Sequence, residues 1–265
     1  MLARLTSTNL PCHWASMNKL WKQLPVATRE RLEPHLSVQR VDVGQVLIDS
    51  GAEISTAYFP ATAVASLVCI TSNGASAEVD LVGKDGMVGM DRLFGSATSA
   101  SQALITREGT LVAIPSSALI EEVDGSAETR RMLLRYAHTS YARMAQAAVC
   151  SRHHSVEQRL CRWLLLYLDR TRSNDVRVSQ DMIAQLLGVR RESVTEAAGR
   201  MRRDGIIDSA RGRTTVLEAN GLRRHACECY YPALQGPAVV PLRQPTLKTY
   251  RGSPLATDLP VAFAT

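Results

Sequence analysis

The chain has 265 residues, 45% of them hydrophobic and 21% charged, with 31 basic against 25 acidic side chains and a formal charge of +6. That length and composition suit a globular protein of two ordinary domains, and the basic balance suits an anionic partner without distinguishing nucleic acid from a membrane surface. No run approaches the roughly 18 apolar residues of a membrane span, and the first twenty residues lack the apolar centre of a secretion signal, so no membrane partner and a cytoplasmic location are expected.

Residues before about Ser16 carry no pattern. From about Val38 to Pro115 the chain is built of short β-rich runs: Val41–Ile48, Thr56–Pro60, Ala63–Ile70, Ala77–Val82 and Gly109–Ile114. Turn signals fall at Gly44, Gly51, Asn73-Gly74, Gly83 and Asp85-Gly86, with Asn73-Gly74 the strongest hairpin cue. Many short strands at this spacing indicate a sandwich or rolled barrel, so residues 16–125 are expected to form a jelly-roll-like β-roll.

The period then changes. Leu134, Ala137, Tyr141, Met144, Ala148 and Ser151 recur at alternating intervals of three and four, the spacing of a coiled-coil seam, and Leu133, Ser140 and Ala147 broaden it. Residues 126–152 are therefore expected to be a dimerisation helix, although a helix buried on the chain's own roll would carry much the same stripe. Ser155-Val-Glu-Gln158 reads as a capping box opening another helix, Val156 to Asp169, with Leu160, Trp163, Leu164 and Tyr167 on its apolar face.

Ser179 to Met201 describes two short helices meeting at a sharp turn. Ile183, Leu187, Val189 and Val194 would bury the angle between them, Ala184 would allow close approach, and Gly188 would supply a positive φ. The remaining face carries Arg190, Arg191, Glu192, Ser193, Thr195, Glu196 and Arg200, side chains able to reach phosphates and base edges in a major groove. Arg202 to Asp208 reads as a helix stop, and Ser209 to Leu217 as a hairpin with Arg211-Gly212-Arg213 at its tip, the wing of a winged helix-turn-helix. Positive charge concentrates in this half: between Arg130 and Arg172 many arginines face only Glu157 and Asp169. Residues 153–231 are expected to be the DNA-binding domain. The prolines at 237, 241, 245, 254 and 260 make 232–265 an expected disordered tail.

A β-roll, a long helix and a winged helix-turn-helix in this order, an α+β arrangement, resemble the Crp/Fnr family of bacterial transcription regulators. The resemblance runs from about Leu20 to Tyr231 and is carried by Val43-Gly44-Gln-Val-Leu-Ile-Asp-Ser-Gly51, similar to the start of a cyclic-nucleotide-binding roll, and by Ala184 to Val194. It implies a homodimer reading a pseudo-palindromic double-stranded site, with RNA polymerase as a further partner. The Arg191-Glu192 pair matches the family's base-reading pair, and Glu196 departs from the basic residue frequent there. Ser179, Gln180, Arg190, Arg191, Glu192, Ser193, Thr195, Glu196, Arg200, Arg211, Arg213 and Thr214 are the candidate DNA contacts, Arg190, Arg200, Arg211, Arg213 and Thr214 on phosphates.

Cyclic-nucleotide binders of the family use a Gly-Glu pair and a nearby arginine. Here Met90 follows Gly89, and Thr98-Ser-Ala-Ser-Gln-Ala103 fills the arginine's place, so binding of cyclic AMP in the usual way is not expected. No cofactor or metal is expected either. Only Cys12 lies near the N-terminus, too few for an iron-sulfur cluster, and His13, His35, His138, His153 and His154 are scattered candidates for haem. The six cysteines do not form a disulfide framework or a four-thiolate zinc pattern. Cys227-x-Cys229 reads as two thiols packing a terminal helix, with a metal or redox pair as the other readings. No phosphate-cradling loop, nucleophile elbow or paired metal-binding histidines point to an enzyme. The competing reading is a signal-binding module that acts through protein contacts, its helix-turn-helix degenerate at Glu196.

Overall fold

The structure, a computed structural model, describes residues 17–171, 173–210 and 212–231. Arg211 at the expected wing tip, the expected tail at 232–265, Cys12 and His13 lie outside the described residues. Two short helices, α1 (Lys19–Gln23) and α2 (Val26–Leu32), lead into β1 (Ser37–Val41), β2 (Val46–Ile48), β3 (Thr56–Pro60), β4 (Val64–Ile70), β5 (Ser76–Val82), β6 (Gln102–Arg107) and β7 (Gly109–Pro115). These strands make two antiparallel sheets, ordered β1-β7-β3 and β2-β6-β4-β5. Val41, Ile48, Ile54, Leu67, Val82, Val88, Ile105 and Leu111 fill the space they enclose. The run expected from Val41 to Ile48 is divided because Gly44, at φ +88°, turns the chain between β1 and β2. At the Asn73-Gly74 turn, Gly74 takes φ +82° and the Asn73 side chain accepts from the Ala75 N–H at 3.2 Å, joining β4 to β5.

After α3 (Ser116–Gly125), Ser126 caps α4 (Ala127–His153) by accepting from the Thr129 N–H at 3.2 Å. One side of α4 is committed to the roll: Leu133, Ala137 and Ser140 are fully buried. Arg143 clamps the buried Asp80 carboxylate of β5 with two bonds of 2.8 Å, and the Ser140 hydroxyl donates to the same carboxylate. The Tyr136 hydroxyl donates to the Met87 carbonyl at 3.0 Å and accepts the Met87 N–H at 2.9 Å. The expected seam is therefore split. Ala137 belongs to the chain's own core, while Leu134, Tyr141 and Val149 are exposed.

The capping box forms in both directions, Ser155 N–H to Gln158 Oε1 at 3.0 Å and Gln158 N–H to Ser155 Oγ at 3.3 Å, and opens α5 (Val156–Thr171). Helix α5 lies between the roll and the C-terminal elements. Its Leu160, Trp163, Leu164 and Tyr167 share one apolar core with Val64, Val68 and Leu81 on one side and with Ile183, Leu187 and Val194 on the other. Trp163 Nε1 donates to Glu78 at 3.1 Å and Arg170 Nε to the Leu81 carbonyl at 2.6 Å. Arg170 also lies across Gly83, where an added Cβ would come within 2.9 Å of the arginine's own Cβ. Beyond α5 come β8 (Asp175–Val176), α6 (Gln180–Leu187), α7 (Arg191–Arg203), β9 (Ile207–Ala210), β10 (Arg213–Val216) and α8 (Ala219–His225). The wing hairpin β9–β10 gains β8 as a third strand, in the order β8-β10-β9. No helix among the described residues is long and apolar enough to cross a membrane.

Candidate nucleic-acid interface

Helices α6 and α7 meet at Gly188, which takes φ +61° and donates its N–H to the Ala184 and Gln185 carbonyls, closing α6 with a left-handed cap. Ile183, Ala184, Leu187 and Val194 are buried in the angle, as their spacing requires, and Val189 is half-buried. The turn rests on the β4–β5 hairpin: a Cβ at Gly188 would meet the Ser76 carbonyl at 3.1 Å, and Ser76 Oγ donates to the Gln185 carbonyl at 3.2 Å. The back of the motif is thus fixed on the roll, and α7 turns its other side to solvent.

That outward side holds most of the expected residues. Arg190, Arg191, Glu192, Thr195, Glu196 and Arg200 are exposed, and Ser193 and Gln180 half-exposed. A groove between the start of α6, α7 and the wing is lined by Ser179, Gln180, Arg191, Thr195 and Arg202, among others. Within it, Ser179 caps α6 by accepting from the Met182 N–H at 3.1 Å, and Thr195 Oγ1 donates to Gln180 Oε1 at 2.9 Å. Arg191 Nε sits 3.2 Å from Asp181 Oδ1, an exposed pair that a DNA acceptor can displace at little cost. Arg190 has the extended backbone of an N-cap but no side-chain cap bond, consistent with an arginine standing where a serine or threonine would cap.

Three of the expected phosphate contacts are engaged within the chain itself. Thr214 is only 5% exposed. It occupies the middle strand of the small sheet, paired with Val176 and Ser209, and its side chain faces inward rather than toward a phosphate. Arg200 does not line the groove: its Nε donates to Glu157 of α5 at 2.5 Å, and the bond to Arg200 holds the Glu157 carboxyl below the usual carboxylate range. Arg213 pairs with Asp175 of β8, which also takes Arg177 at 3.2 Å. Burial alone would raise the Asp175 carboxyl, but these two guanidiniums hold it low. Arg202 was missed as a groove residue, although it lies seven residues beyond Thr195 and so on the same helical face.

In the roll, the segment after Gly89 is a short 3₁₀ helix, Met90–Phe94, between two glycines at φ +90° and +82°. Met90, which follows Gly89, is buried, and Ser99 and Ser101 are buried with Ser99 Oγ donating to the Ser101 carbonyl at 2.7 Å. The next arginine, Arg107, ends β6 in a cleft beside Tyr167, Asp175 and Arg177.

A β-roll, a long helix and a winged helix-turn-helix follow one another on one chain. Residues 158–225 match the family model for a Crp-like helix-turn-helix domain. A structure described as a Crp/Fnr-family transcriptional regulator from Eubacterium rectale aligns with a TM-score of 0.64 at 16% identity, over 79% of this chain and 98% of the other. A CRP-family regulator from Thermus thermophilus aligns at 0.60 and 22% identity, over 71% and 96%. FixK2 from Bradyrhizobium japonicum aligns at 0.61 and 13%, over 72% and 98%. No curated protein matches the chain by sequence. Residues 158–225 are thus a Crp-like helix-turn-helix domain, and the chain as a whole shares the fold of these regulators.

Proposed function

We propose that the chain is a sequence-specific DNA-binding regulator, acting in the cytoplasm as a homodimer on a pseudo-palindromic site and carrying no catalytic activity of its own. The observation that carries this reading is the solvent-facing side of α7, with Arg191, Thr195 and Arg202 along a groove that the wing closes. Arg191 and Glu192 read bases, with Ser193 and Thr195 in support, while Gln180, Arg190, Arg211, Arg213 and, from the structure, Arg202 hold the backbone. Residues 16–125 act as sensor, 126–152 as dimerisation helix and 153–231 as the DNA-reading head. The exposed Leu134, Tyr141 and Val149 on α4 supply the apolar line for the second copy, and RNA polymerase is a further partner on bound DNA.

The sensor does not take cyclic AMP by the family's usual mechanism. A buried cyclic phosphate would lack its guanidinium, at a cost of several kcal/mol as an order of magnitude. Calorimetry with cyclic AMP checks this: heat of a micromolar one-site isotherm defeats it. For DNA reading itself, selection from random duplexes with the purified chain is expected to enrich a two-fold symmetric site whose affinity falls steeply with salt through counterion release. Recovery of no preferred sequence, with salt-insensitive capture of proteins instead, favours the protein-contact reading.

A further inference from the structure

Cys150, His154, Cys227 and Cys229 come together so that one ligand-capable atom of each lies within 4.8 Å of all the others. Sequence spacing conceals this, since Cys150 and Cys227 are 77 positions apart and Cys227-x-Cys229 alone offers two ligands. The fold supplies the other two. Cys150 and His154 stand one helical turn apart where α4 ends, the His154 N–H donating to the Cys150 carbonyl at 3.2 Å. Cys227 and Cys229 follow α8 in a turn closed by the Tyr230 N–H on the Cys227 carbonyl, also at 3.2 Å. The three cysteines are buried, form a small cluster apart from the three apolar cores, and remain unbridged thiols.

The distances suit one ion. Cys150 Sγ and Cys227 Sγ are 3.5 Å apart, and His154 Nδ1 and Cys229 Sγ 3.6 Å. A tetrahedral site with metal–sulfur bonds of about 2.3 Å and metal–nitrogen bonds of about 2.0 Å has edges of about 3.8 Å between sulfurs and about 3.5 Å between sulfur and nitrogen. The surroundings suit it as well. His154 Nε2 lies 3.2 Å from Glu228 Oε1, so a proton on Nε2 is held by the carboxylate and Nδ1 is left with its lone pair toward the sulfurs. Gln146 Nε2 donates to Cys229 Sγ at 2.9 Å, and Arg162 Nε to the Cys229 carbonyl at 3.4 Å. Three thiolates around a divalent cation leave one negative charge, which the Arg162 guanidinium offsets.

We propose that Cys150, His154, Cys227 and Cys229 form a structural zinc site that fastens the end of α4 to the end of the DNA-reading head. The thiolate-rich N/S donor set selects zinc over magnesium or calcium, and four protein ligands leave no open position for catalysis. On binding, the three thiols release their protons to solvent. The site spans the short connection at His154-Ser155 through which α4 passes into α5. The ion therefore closes a loop that contains the whole head and fixes the angle at which the head leaves the long helix.

The test uses the full chain, purified under reducing conditions and measured without DNA, so that it stands or falls separately from the proposed function. Elemental analysis is expected to find one zinc per chain. Cobalt added after chelation is expected to give the visible bands of a tetrahedral thiolate site, and X-ray absorption of the zinc form a shell of three sulfurs and one nitrogen. Cys229→Ser and His154→Ala are expected to lose the metal, while Cys69→Ser, at an exposed position on β4, keeps it. Because ligand variants can fail to fold, Glu228→Gln provides a surface change, expected to weaken zinc binding by about 10-fold or more. A reduced chain that takes up neither zinc nor cobalt overturns the proposal. So does a first shell of oxygen and nitrogen only, a Cys150–Cys227 disulfide in the protein as isolated, or a folded Cys229→Ser variant with undiminished zinc affinity.

Discussion

Arg191 and Arg213 are both exposed arginines of the head, yet their settings predict different losses. Arg191 projects from the first turn of α7 into the groove, in an exposed pair with Asp181. Arg191→Ala is expected to cost about 1–3 kcal/mol on the selected site and to relax preference at one base pair. Arg213 is held by Asp175 in the free chain, so the proposed phosphate contact would replace an existing pair. Arg213→Ala should weaken every duplex similarly and by less, as titrations of matched and mismatched duplexes at fixed salt would show; equal losses on every duplex for both variants would undo the assignment. The helix face was legible from spacing: Ile183, Leu187 and Val194 went inside, and Arg191 and Thr195 outside. Thr214 was misplaced: it lies two residues before the buried Val216 and so on the same inward face of β10.

At the level of elements, the long helix shows where periodicity runs out. A stripe at intervals of three and four establishes that α4 has apolar sides, but not how many partners share them. The roll takes Leu133, Ala137 and Ser140, aided by the Asp80–Arg143 clamp, and the outward line shifts to Leu134, Tyr141 and Val149. Tyr141 is 66% exposed in the single chain, and burial of large apolar side chains yields roughly 1.5–3 kcal/mol each. Tyr141→Asp, at this exposed position, is therefore expected to shift the proposed dimer to monomer in sedimentation at micromolar concentration while its thermal unfolding stays cooperative. A variant that remains dimeric with unchanged affinity would remove this face from the interface. Strand β6 was also missed: Gln102–Arg107 follows a serine-rich stretch that reads as loop, yet Ala103 and Ile105 point inward between β2 and β4.

For the whole molecule, the head and the roll share one core through α5, and one carboxyl within that contact titrates near neutrality. Burial pushes Glu78 up from 4.5 to about 7, against the donations of Ser66 and Trp163 and the charge of Arg162. Below its ordinary value both folded and unfolded chains hold the proton. Between that value and about 7 only the folded chain does, so stability falls as pH rises through this window and stays lower above it. Glu78→Gln is expected to recover about 1–3 kcal/mol at pH 8 relative to pH 5 in urea unfolding; an equal effect at both pH values would exclude the carboxyl as the cause. The order of roll, helix and head was legible from changes of period along the chain. The approach of Cys150 and His154 to Cys227 and Cys229 was not, since it arises only when α8 returns to the end of α4, and no local pattern encodes that return.

The β4–β5 hairpin carries the turn of the helix-turn-helix on its Ser76 end, so a strand pair of the roll sets where α6 and α7 stand. Each added pair of residues would lengthen a strand by about 6.5 Å while preserving which side chains face inward, pushing the head outward from the roll. In a two-fold assembly that displacement changes the separation of the paired α7 helices. Under the proposed function the hairpin's length would act as a ruler for operator spacing: a chain lengthened there by one residue pair is expected to select half-sites at a changed separation from random duplexes.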